Sequence, residues 1–132
     1  MYLTACGALL GASFLLNLHD RRMLALTLLV GVSIFIPVPR HDADVFYTFC
    51  IAFEMGVAFV ALLLNARASV VVAELCALLA ITHLMGYALD GNPPLSPYRV
   101  IVKLLEISQL TACVALSPSL VDILRNRDAT TT

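Results

Sequence analysis

The chain has 132 residues, 61% of them hydrophobic and only 13% charged, with a mean hydropathy of +0.94 and a formal net charge of −1. A soluble domain carries roughly a quarter charged residues; this chain has too few to cover a water-facing surface, so its composition demands lipid as solvent. It has no basic patch to neutralise phosphates, which argues against a nucleic-acid partner.

The first apolar run, Tyr2 to Leu16, reaches the lower limit of about 17 residues for a span only when Asn17 and Leu18 are included, giving an expected span over 2–18. Leu3-Thr4-Ala5-Cys6 has the form of a lipobox, but neither a basic nor an apolar region precedes it, so the run is expected to be a retained span. Gly7 and Gly11, with Ala8 and Ala12 beside them, form a GxxxG step that lets helix backbones approach closely in lipid. Packing within the same chain is the expected use. His19-Asp20-Arg21-Arg22 then leads to the second run, 23–38, closed by Pro37-Val38-Pro39. The following loop, Arg40-His41-Asp42-Ala43-Asp44, groups a histidine with two carboxylates. It is read as a solvated loop, with a divalent-cation site as the alternative.

The third run, 45–64, has the length of a full span and carries Glu54 near its middle. Cys50, Glu54, Ala58, Ala61 and Asn65 make one face of small and polar side chains, suited to a tight helix interface. The very short turn Asn65-Ala66-Arg67 predicts an antiparallel hairpin with the fourth run, 68–89. That run holds Glu74 and His83, whose separation places them on opposite sides of a helix. The two cannot face one neighbour, so either the helix is sandwiched or one of the pair looks towards another subunit. Asp90 to Pro97, with three prolines and a glycine, is the clearest break.

The fifth run, 98–120, organises the rest. At about 100° per residue, Arg99, Lys103, Glu106, Cys113 and Ser117 share one stripe, with Gln109 at its edge. Ile101, Leu104, Leu105, Ala112 and Ala115 form a greasy opposite face. Pro118 is expected to kink or end this helix early, and 121–132 to be a polar tail carrying Arg125 and Arg127. Cys6, Cys50, Cys76 and Cys113 each lie inside an apolar run without CxxC spacing, and are read as packing residues.

With the N-terminus outside, five spans put Arg21, Arg22, Arg67, Arg125 and Arg127 in the cytoplasm and leave Arg40 and Arg99 outside, in keeping with the positive-inside rule. A four-span arrangement, with the short first run lying in the interface, is the alternative. Ionisable groups near the centre of a span are costly, roughly 2.5 to 3.5 kcal/mol each on insertion scales. Glu54, Glu74, His83, Lys103, Glu106 and Gln109 are therefore the candidates for buried charge or a polar pathway. Lys103–Glu106 and His83–Glu106 contacts are expected in the outer half, with Glu54 at mid-depth and Glu74 in the cytoplasmic half.

No G-x-S-x-G, H-E-x-x-H, P-loop or dinucleotide fingerprint occurs, nor the local spacing of a metal site. The expectation is a non-enzymatic protein without cofactor. In layout (a short chain, several spans, tiny loops and a charged tail) it resembles the phage holins. That resemblance implies a bacterial inner-membrane protein that self-associates and forms a polar pathway or lesion. A proton- or cation-coupled carrier using Glu54, with Glu106 and His83 as relays, is the second hypothesis. An accessory subunit of a larger membrane complex is the third. The expected fold is an all-α integral membrane bundle of about five transmembrane helices in one domain, 1–132, partnered by the bilayer and by copies of itself or another membrane protein.

Overall fold

The computed structural model describes residues 1–38, 42–89 and 95–129. Within them the chain is all helical, in the order α1 (Tyr2–Leu16), α2 (Arg21–Phe35), α3 (Ala43–Leu64), α4 (Ser69–Ala88), α5 (Leu95–Ala115) and α6 (Pro118–Ala129). No strand occurs among the described residues.

Each boundary has a local cause. Asp20 caps α2 by accepting from the backbone N–H groups of Arg22 and Met23, which are among the donors a helix start leaves without partners. Ile36 turns extended (φ −67°, ψ 131°) and ends α2, because the ring of Pro37 disfavours a helical residue before it. Asp42 caps α3 through the N–H of Asp44. Asn65 closes α3 in the left-handed region at φ 47°, a conformation that asparagine tolerates. The expected α3–α4 hairpin follows from it.

Among the described residues, only α3 and α4 are long and apolar enough to cross a membrane on their own. A third crossing is reached if Pro97–Ala115 and Pro118–Arg125, bent by 57° relative to one another, count as one broken span. Five full-length spans are therefore not what the chain forms. The two first helices have 15 residues each, about 22 Å of rise against a hydrocarbon core of about 30 Å. The reasons are the turn from Asn17 to Asp20 and the early stop before Pro37. The fifth run breaks at Leu116–Ser117, because Pro118 has no N–H to continue the ladder and its fixed φ suits the first turn of a new helix. What the sequence presents as a polar tail is mostly the helix α6. The loop around Arg40 and His41 and the segment 90–94 lie outside the described residues.

α3 and α4 pack along their length, α5 packs against α4, α1 and α2, and α2 also meets α3. An apolar core that includes Met23, Leu26, Val30, Val72 and Leu110 is interspersed with buried polar side chains, while large apolar side chains cover the outside. Ser13, Asn17, Thr27, Glu54, His83, Gln109 and Ser117 are buried. Phe59, Leu63, Ile81 and Leu104 are exposed, at 62%, 68%, 54% and 58% of their surface. The expected α5 stripe holds only in its second half: Gln109, Cys113 and Ser117 are buried and Glu106 is half-buried, whereas Arg99 and Lys103 are exposed, as are Ile101, Leu104 and Ala115 of the opposite face. Apolar surface on this scale is what lipid solvates and water does not.

Candidate functional site: a polar column along α5

The inward face of α5 and the break that follows it carry polar groups from Tyr98 to Ser117, and different levels are joined to different helices. At the first level the Tyr98 hydroxyl lies 2.7 Å from Nδ1 of His83 on α4. Tyr47 of α3 packs against the same ring, with centroids 6.0 Å apart. Gly86 makes this cluster possible, because a Cβ there would stand 2.8 Å from the Tyr98 ring and 3.0 Å from that of Tyr47.

At the second level Tyr2, at the start of α1, donates its hydroxyl to the Glu106 carboxylate. Lys103 stands over the Tyr2 ring, 5.3 Å from its centroid, in cation–π range. The expected Lys103–Glu106 pair is thus mediated: one aromatic side chain offers its face to the ammonium and its hydroxyl to the carboxylate. The expected His83–Glu106 contact gives way to His83–Tyr98.

The third level is at mid-depth. Glu54, halfway along α3 and 92% buried by its 8% exposure, reaches the Cys76 thiol of α4 and the Gln109 amide of α5. The Gln109 amide donates to Cys76 Sγ at 3.1 Å. Three helices meet here through three polar side chains, yet Glu54 Oε2 has no hydrogen-bond partner. Such an atom is costly to bury and calls for an explanation. Cys76 accordingly does more than fill space, while all four cysteines are buried and free.

The fourth level closes the column near the α1–α2 turn. The Asn17 amide donates to the Ser13 carbonyl (2.8 Å), to Ser13 Oγ (3.2 Å) and to the Cys113 carbonyl (3.2 Å). Ser13 and Thr27 share a hydrogen bond of 2.8 Å, and Ser117 donates to the Leu16 carbonyl at 3.1 Å.

Two groups of expected site residues stand apart from the column. Glu74 is exposed on the outer side of α4, opposite buried His83, as their angular separation requires. Gly7 and Gly11 are also outward, with nothing within 4 Å of a Cβ at either position. The same-chain packing expected of the GxxxG step is not found, because α1 turns Cys6 and Ser13 inward instead. Tyr2, Asn17, Ser13, Thr27, Tyr47, Cys76 and Tyr98 belong to the column without having stood out as sites in the sequence. Hydroxyl and amide side chains recurring within apolar runs were the available signal. Among the described residues, no group of three or more His, Cys, Asp or Glu side chains is arranged to hold a metal ion. Comparison with protein-family models, curated proteins and solved structures finds no match for the chain.

Proposed function

We propose that the chain is a small, non-enzymatic integral membrane protein whose α5 column serves as a polar pathway for protons or small cations. The observation that carries this reading is the buried Glu54 carboxyl, held at mid-depth between three helices with one oxygen unpaired. An ionisable group inside a span is retained against a substantial insertion cost, and its usual use is in a proton or ion route. In this reading Glu54 is the central loading group. Gln109, Cys76, Glu106 and Tyr2 extend the route along α5, and Tyr98 with His83 forms its outer end. The short helices α1 and α2 cross a locally thinned bilayer, and the arginines near the α1–α2 and α3–α4 turns lie on the cytoplasmic side of a bacterial inner membrane.

The test is proton flux into vesicles of phosphatidylcholine and phosphatidylglycerol containing the full chain, driven by a potassium diffusion potential and read with an internal pH dye. The wild type dissipates the potential by carrying protons. Glu54→Gln keeps the shape of the side chain and one acceptor oxygen but replaces the titrating oxygen by a donor NH2, and lowers flux by about tenfold or more without loss of insertion. Equal flux in both proteins, or none in the wild type, contradicts the proposal. A holin-like lesion formed between copies is the second reading, favoured by the outward positions of Glu74, Gly7 and Gly11.

A further inference from the structure

Two atoms decide what can travel along the column. Among the described residues, Glu54 Oε2 and Asn17 Oδ1 are the fully buried side-chain oxygens or nitrogens left without a hydrogen-bond partner. They stand at different levels, Glu54 halfway along α3 and Asn17 at the end of α1. The other polar groups of the column hold one another: Tyr98 with His83, Tyr2 with Glu106, Gln109 with Cys76, and Ser117 with the Leu16 carbonyl. Paired groups of this kind line no continuous ring of free oxygens.

We infer that the cargo of this column is the proton alone, carried on Glu54 Oε2, and that metal cations are excluded. The inference rests on the pathway reading above and names its passenger. A proton needs one oxygen, and the structure offers one at mid-depth. Hard divalent cations give up water only for about six or more oxygen ligands held together, and even the potassium filters supply rings of carbonyl oxygens. At the level of Glu54 the companions are a thiol, which is a soft ligand, and an amide that turns its N–H towards the sulfur. Main-chain carbonyls at this depth bond within their own helices. Glu106, the other carboxyl of the column, lies at a separate level and already accepts from the Tyr2 hydroxyl. The free oxygen of Asn17 belongs to another level again. The step itself is simple: Oε2 gains a proton as Glu54 becomes neutral and loses it as the carboxylate returns, with no other bond made or broken.

Ion replacement in the same vesicles, with the full wild-type chain, tests this without relying on a variant. Proton flux is expected to stay unchanged when N-methylglucamine replaces all external sodium. Uptake of radioactive sodium, rubidium and calcium, each driven by an inward gradient, is expected to match that of protein-free vesicles. Uptake of any of the three above the protein-free level overturns the inference. Where Glu54→Gln lowers that uptake, the pathway reading stands with a different passenger, so the two ideas fail separately. A chain that moves neither protons nor metal ions removes the pathway and, with it, the inference.

Discussion

The two hairpins of this protein solve the same problem differently. The α3–α4 hairpin has two arms long and apolar enough to cross a membrane, and besides Ser69 at its turn it buries Glu54, Cys76 and His83 further along the arms. The α1–α2 hairpin is short; Ser13 and Thr27 bond one another across its two arms, and Asn17 at its turn ties the Cys113 carbonyl of α5. One hairpin therefore carries ionisable chemistry, and the other anchors the helix that chemistry depends on. The difference teaches that buried polarity in this chain has two uses, separable by depth along α5.

The division of labour makes graded predictions. The largest effect is expected from Leu26→Ala, which empties a fully buried position in α2. A loss of about 2 to 5 kcal/mol, measured by unfolding in detergent, should loosen the anchoring hairpin while α3 and α4 remain membrane-inserted. If the α3–α4 pair leaves the membrane as well, the two hairpins are not separable. Asn17→Ala removes the three hydrogen bonds that join α1 to itself and to the Cys113 carbonyl, at a cost of about 1 to 3 kcal/mol. It should also speed proteolysis near the α1–α2 turn, since that side is the one released.

Tyr98→Phe tests the other hairpin. Loss of the hydrogen bond to His83 should lower stability by about 1 kcal/mol and change the NMR shift of the His83 ring, with the α1–α2 turn unaltered. Ser108→Ala is the smallest effect. That hydroxyl bonds only the Leu104 carbonyl of its own helix on an exposed face, so its loss should stay within about 0.5 kcal/mol. A larger change would mean that the outer face of α5 is covered.

Much of the layout is legible in the sequence, because helix ends are written locally. Pro37, Asn65, the proline-rich segment after Asp90, and Pro118 each mark a boundary by backbone chemistry alone. The inward placement of Gln109, Cys113 and Ser117 and the opposed directions of Glu74 and His83 follow from helical geometry, whereas Arg99 and Lys103 of the same stripe are exposed. The pairings are a different matter. Tyr2 meets Glu106 across 104 positions, and Asn17 meets Cys113 across 96. Such contacts depend on how each helix is rotated about its axis, which a run of apolar residues without strong periodicity does not encode. Apolar length overstates the number of crossings for a related reason: the apolar runs continue through Asn17 and Pro37, whereas the helices stop at Leu16 and Phe35.

The most direct measurement is the collision accessibility of spin labels placed singly at Phe59, Leu63, Ile81 and Leu104 in the vesicle-bound chain. Oxygen, concentrated in hydrocarbon, should reach all four positions freely while a water-soluble nickel chelate does not, since each is an exposed apolar side chain. Ready access of the nickel chelate to Phe59, Leu63, Ile81 and Leu104 would show that water surrounds these helices, and the pathway would not survive it.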